Sequence, residues 1–253
     1  MRSVILDVGN TSSKAGFFDE AGQLVRVRRA DTVAELQGEI SNFAPEWALV
    51  ASVGAAAAEI GVAAGLPPAR TLLFTAATPL PITLVYTTPQ TLGADRVAAA
   101  VGARARFPGE AVLIIDAGTC LKCDVVTAEG AFVGGSISPG LRLRYRALAE
   151  FTHRLPLVPP GAAADLPDWP GDSTAASIRA GVETGFLSEA MAFVGWAEAQ
   201  WPGARVALTG GDSAWLAARL GAGGVARNFA IEPQLVLLGL HQILLFSTDP
   251  SAA

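Results

Sequence analysis

Two carboxylates at matching positions carry the first chemical signal in this 253-residue chain. Asp7 ends a short apolar run in Val4-Ile-Leu-Asp-Val-Gly-Asn-Thr11, and Asp116 ends another in Val112-Leu-Ile-Ile-Asp-Ala-Gly-Thr119. In each, a Gly follows two residues later and hydroxyl side chains come next. A carboxylate at such a turn can hold a hydrated cation, while the turn's N–H groups and hydroxyls can donate to phosphate oxygens. One Asp-x-Gly after a strand is ordinary turn chemistry. Two copies in matching register favour a function, and a pair suits a nucleoside triphosphate with its metal. The aligned loops are Asp7-Val-Gly-Asn-Thr-Ser-Ser-Lys14 and Asp116-Ala-Gly-Thr-Cys-Leu-Lys122.

A third acid, Asp95, sits in Leu92-Gly-Ala-Asp-Arg96 at the start of an expected helix. There the helix dipole favours its charged form, although Asp is also a common helix cap. Gly134-Gly-Ser-Ile-Ser-Pro-Gly140 reads as an open loop that could cradle an anion or simply turn. Thr209-Gly-Gly-Asp212 is a third strand-to-glycine turn, where a flat ring could approach the backbone or the chain merely bends tightly. Arg142, Arg144, Arg146, His153 and Arg154 could meet an anion or form a solvated helix face. Cys120 and Cys123 form a C-x-x-C, but an expected strand from Lys122 would send them to opposite faces. Packing is the better reading of the pair.

These residues need elements to hold them. Uninterrupted apolar runs before each Asp read as strands buried on both faces. Residues 1–30 read as a hairpin and a further returning strand, and Asp31-Thr-Val-Ala-Glu35 has the look of a capping box before a helix. Strands are expected at 47–52 and 71–74, and helices at 55–65, 97–107, from 174 to about 198, at 214–220 and around Gly239. Pro108-Gly109 is the expected boundary, giving halves 1–108 and 109–253. The Pro-rich stretch 155–170 is expected as an exposed loop.

Hydrophobic residues make up 51% and charged residues 16%, with a net charge of −5, which speaks against nucleic acid as a main partner. Asp7 interrupts the first apolar run and the apolar stretch at 235–246 is broken by polar residues, so neither a signal core nor a membrane span is expected. A cytoplasmic location is the default.

Taken in order, the motifs resemble those of the type III pantothenate kinases. They are Asp7-Val-Gly-Asn-Thr11, Leu92-Gly-Ala-Asp-Arg96, Asp116-Ala-Gly-Thr119, Gly134 to Gly140 with Leu155-Pro156, Thr174 before Gly181, Thr209-Gly-Gly211, and the stretch 233–240. The phosphate loops also resemble those of the actin and sugar-kinase superfamily. The resemblance implies an α/β chain of duplicated actin-like (ribonuclease H-like) domains with a nucleotide cleft between them. It implies transfer of the γ-phosphoryl of ATP to pantothenate, the first step towards coenzyme A, by a homodimer. Asp95 would accept the proton of the attacking hydroxyl, and Tyr86, Gly93, Ala94, Arg96 and Thr174 would bind pantothenate. Asp7, Val8, Gly9, Asn10, Thr11, Ser12, Ser13, Lys14 and Thr119 would bind ATP. Asp116 would hold a monovalent cation, potassium or ammonium, beside Mg²⁺.

One departure stands out: Cys120, Leu121, Lys122 and Cys123 follow Thr119 where the family often has small or hydroxyl residues. Lys122 could replace the potassium charge or point away. Two other readings compete, an actin-like kinase for another small alcohol and a non-catalytic regulatory member. Retention of Asp7, Asp95, Asp116 and Thr174 together disfavours the second.

Overall fold

The computed structural model describes residues 1–9, 13–52, 57–162, 169–222 and 229–249. The chain forms β1 (Ser3–Val8), β2 (Ser13–Phe18), β3 (Leu24–Ala30), α1 (Gln37–Phe43), β4 (Trp47–Ser52), α2 (Ala57–Ala63), β5 (Thr71–Leu73), a two-residue β6 (Thr83–Leu84) and α3 (Ala94–Arg106). It continues with β7 (Val112–Ala117), β8 (Cys120–Val126), β9 (Ala131–Pro139), α4 (Leu141–Phe151), α5 (Thr174–Gln200), β10 (Arg205–Thr209), α6 (Ser213–Ala222), β11 (Phe229–Ile231) and α7 (Leu235–Thr248). None of the helices among the described residues is long and apolar enough to cross a membrane.

Two compact units result: Met1–Arg106 together with Leu235–Ala253, and Phe107–Gln234. The junction lies beside Pro108-Gly109. The closing helix, which the halves read from the sequence put with the second unit, packs with the first. Its physical cause is a backbone-to-backbone crossing of α7 on α3. A Cβ on Gly239 would stand 1.7 Å from the Ala98 carbonyl oxygen, and one on Gly102 would stand 2.4 Å from the Leu235 carbonyl oxygen. Only glycine at these two places lets the helices approach so closely.

Taken over the strands each unit itself contributes, the strand orders of the two main sheets correspond. The first runs β3-β2-β1-β4-β5 and the second β9-β8-β7-β10-β11. In both, the central strand pairs antiparallel with the strand that follows it and parallel with the strand on its other side. The internal repeat of sequence is thus a repeat of topology.

The apolar runs form central strands because both faces of the first sheet are covered. Val4 and Leu6 point into a core with Leu36, Ile40 and Ile60, while α7 and α3 lie along the sheet as well. In the second unit Leu113, Ile115 and Ala117 share a core with Tyr145, Ile178, Phe186 and Leu216, so α4, α5 and α6 cover one face of β7. Alternation on β8 buries Cys123 in that core and leaves Cys120 on the other face, half-buried, and both thiols are free. Burial pushes the Cys123 thiol up to about 12, so it packs as a small apolar group.

One expectation is overturned. Gly134 to Pro139 is no open loop but the second half of β9, paired with β8 from Cys120↔Pro139 to Val125↔Gly134. Its glycine serves close approach rather than turning, since a Cβ on Gly135 would stand 1.9 Å from the Cys123 carbonyl oxygen.

Candidate functional site

The corner at the end of β7 is built from three turns. Asp116 closes a strand whose residues Val112 to Ile115 are at most 1% exposed. The strand is fixed, so its carboxylate is fixed too. Gly118 N–H donates to the Cys120 carbonyl (3.0 Å) and Gly140 N–H to the Thr119 carbonyl (3.0 Å), tying the end of β9 to the turn. From the other side, Asp212 N–H donates to the Ala117 carbonyl (2.8 Å). Gly210, with φ of 89°, brings the β10–α6 turn so near that a Cβ there would meet Asp116 Oδ1 and the Ala117 carbonyl at 2.5 Å. The tight-turn reading of Thr209-Gly-Gly211 therefore accounts for Gly210. Gly211 has open space around its Cβ position. Thr119 is exposed at the tip.

On β8, Lys122 lies directly opposite Asp116, and its Nζ stands 2.7 Å from Asp116 Oδ2, with both side chains about 15% exposed. The first unit repeats the relation in register: Asp7 on β1 lies opposite Lys14 on β2, and both are half-buried. Val8 is half-buried, Gly9 exposed and Ser13 buried. Asn10, Thr11 and Ser12 lie outside the described residues, as does the Val53-Gly54 turn.

Asp95 stands in the first turn of α3, half-buried, with Oδ1 accepting the Arg96 N–H at 2.9 Å. Arg96 is 5% exposed and its guanidinium lies 5.6 Å over the Tyr86 ring, with Nη1 donating to the Tyr86 hydroxyl at 3.4 Å. Tyr86 and Arg96, expected on one substrate, are thus in contact. Gly93 and Ala94 line a neighbouring cavity of about 280 Å³ with Ser52, Phe74 and Leu84.

Thr174 belongs to the second unit. It opens α5 after Ser173, whose Oγ accepts the Ala176 N–H (3.2 Å), and it lines an apolar cavity of about 940 Å³ between α4 and α5. The arginine cluster on α4 is dispersed. Arg142 pairs with Asp212 (3.4 Å), Arg146 with Glu150 (3.9 Å) and Arg144 with Glu189, so these three guanidinium groups meet three different carboxylates rather than one anion.

Sequence reasoning missed the group that braces this second unit. Glu183 on α5 is buried and accepts from the Tyr145 hydroxyl (2.8 Å), Gly161 N–H (2.7 Å) and Arg219 (2.9 Å). Arg219 also donates to the Ala162 carbonyl at 3.1 Å. Burial, then the bond to Glu183, pushes the Tyr145 phenol up. The network pins the start of the Pro-rich segment against α5 and α6. Its only sequence signal is one acid and one arginine inside otherwise apolar helical faces.

A model of the type III pantothenate kinase family matches residues 3–195. A type III pantothenate kinase of Phocaeicola vulgatus is 38% identical over 247 residues, which is 97% of this chain and 98% of that one. The chain belongs to the type III pantothenate kinase family. Among solved structures, a Campylobacter jejuni protein provisionally assigned as a Baf family transcriptional activator has a TM-score of 0.61 at 16% identity, covering 96% of this chain and 97% of that one. A ROK family glucokinase from Streptomyces griseus, solved with glucose and AMPPNP, has a TM-score of 0.54 at 14% identity, covering 96% and 99%. At such identities the likeness is one of fold, and it fits duplicated actin-like domains.

Members of a kinase family with this fold act on ATP with a divalent metal. One carboxylate at a strand end fits Mg²⁺, which keeps several waters and is held by one or two carboxylates plus phosphate oxygens. Among the described residues no group of three or more His, Cys, Asp or Glu could hold a metal ion. Asp116, expected to hold a monovalent cation, already has a charged partner. The Lys122 ammonium stands against Oδ2.

Proposed function

We propose that this chain transfers the γ-phosphoryl group of ATP to the primary hydroxyl of pantothenate, giving 4′-phosphopantothenate and ADP. The observation that carries the reading is the family match over residues 3–195 together with 38% identity across 97% of the chain. The residues supply the chemistry such a transfer needs. Phosphoryl transfer passes through a loose transition state, so alignment and charge neutralisation do most of the catalysis.

In this reading Asp7 to Lys14 and Thr119 bind the phosphates of ATP, with Asp7 holding Mg²⁺ through water and phosphate oxygens. The metal neutralises charge on those oxygens when bound. Tyr86, Gly93, Ala94 and Arg96 border pantothenate, and Thr174 binds it from a second segment. Arg96, fixed by burial and by Tyr86, offers a positive group to the pantothenate carboxylate. The Asp95 carboxylate takes the hydroxyl proton as the alcohol oxygen bonds to the γ-phosphorus and the bond from that phosphorus to the bridging oxygen breaks. The bonding pair leaves with ADP. Such a late proton transfer asks only modest basicity of the acceptor.

A homodimer and a cytoplasmic location complete the proposal. The dimer is supported by large apolar side chains left exposed in the second unit, among them Phe151 at 84% and Leu157 at 64%.

The test is incubation with ATP and Mg²⁺ against pantothenate and a panel of sugars, reading the phosphorylated product by mass spectrometry. Phosphopantothenate alone is the expected product. A phosphorylated sugar in its place, or no phosphorylated product, overturns the reading. Sedimentation of the purified chain checks the dimer.

A further inference from the structure

We propose that the Lys122 ammonium is this chain's own built-in cation at the Asp116 corner, so that its activity needs no potassium or ammonium salt. The kinetic part of the inference rests on the pantothenate kinase reading; the placement of the charge does not.

The first argument is register. Asp116 and Lys122 occupy directly opposed positions on β7 and β8, so their side chains leave the same face of the hairpin. Neither strand can slip without turning its buried face outwards, because Leu121 and Cys123 flank Lys122 in the core. The 2.7 Å contact is therefore dictated by the hairpin and is no chance meeting of long surface side chains.

Chemistry is the second argument. A lysine head group is an ammonium ion on a tether, with the same charge and three of the free ion's four N–H donors. Tethering removes the need to recruit it from solution. With both partners about 15% exposed, dissolved salt screens the pair little.

The third argument is space. The glycine turn at Gly210 closes over the other carboxylate oxygen, Oδ1, leaving no room for even a methyl group. One oxygen is paired and the other covered by backbone, so the carboxylate offers a free ion few positions.

The experiment compares potassium chloride, ammonium chloride and choline chloride at equal ionic strength, with the whole chain. For the unaltered protein, pantothenate turnover in choline should stay within about twofold of that in potassium. Lys122→Met and Lys122→Thr should lose about 10²-fold in choline, the scale of one missing charge-stabilising group, and regain most of it in potassium. A second readout is the melting temperature without substrate. It should be indifferent to potassium in the unaltered protein and rise with potassium in Lys122→Thr, whose hydroxyl can ligate the ion.

Loss of turnover in choline by the unaltered protein, or a melting temperature that rises with potassium before any substitution, overturns the inference. If no salt supports pantothenate phosphorylation, the kinase reading fails instead, and the melting comparison alone decides the cation question.

Discussion

Arg219 Nη2 stands 2.9 Å from Glu183 Oε2, and neither side chain is more than 2% exposed. Removing one member of such a buried pair leaves the other charge without compensation. Glu183→Gln is expected to destabilise the second unit by about 3–5 kcal/mol. Urea unfolding measures this, and adding Arg219→Met to Glu183→Gln should restore part of the loss.

His241 on α7 is buried and stacks on Phe18 with ring centroids 3.9 Å apart, and its Nε2 has no hydrogen-bond partner among the described residues. Burial, with a smaller contribution from the N-terminal ammonium, pushes its pKa down to about 4. Below pH ~6.5 the unfolded chain therefore takes up a proton that the folded chain refuses. Stability should fall by about 3 kcal/mol from this group as pH drops through that window to about 4, and no further below it. Unfolding curves against pH check this, and His241→Phe should flatten the slope.

Asp95 accepts the Arg96 N–H at 2.9 Å, a bond that the amide oxygen of Asn can accept in the same shape. Asp95→Asn should lower turnover by about 10²-fold or more, with KM for ATP and pantothenate little changed. Unaltered turnover would remove Asp95 from the mechanism.

At the α3–α7 crossing, Gly239→Ala would drive a methyl group into the Ala98 carbonyl, 1.7 Å away. The helices must part, at a cost of about 1–3 kcal/mol or more. Thermal unfolding should show a lower melting temperature, whereas Gly38→Ala, where a Cβ meets nothing within 4 Å, should show almost none of this loss.

Elements whose signal is local were legible in the sequence. The runs before Asp7 and Asp116 read as buried strands because both faces are covered, and Thr32 with Glu35 forms the expected capping box. Partners distant in sequence were not. Gly134-Gly135 looks the same to a reader whether glycine serves a turn or the close approach of β8, and only pairing decides. Likewise nothing in the apolar stretch of α7 says which sheet it covers. At the site, Tyr86 and Arg96 were named separately, and their contact emerged from the fold. Glu183 carried no motif, since its role depends on Tyr145 and Arg219, which lie 38 and 36 residues away in the chain.

Arg144 bonds to Pro139 and Ser138 at the end of β9, lies over Phe186, and reaches Glu189 on α5, all while bordering the hollow between the two helices. It works as a strut. That guanidinium links the end of β9 to α5 along the rim of the hollow, beside the buried Tyr145–Glu183 bond that also ties α4 to α5. A molecule entering there need not prise them open.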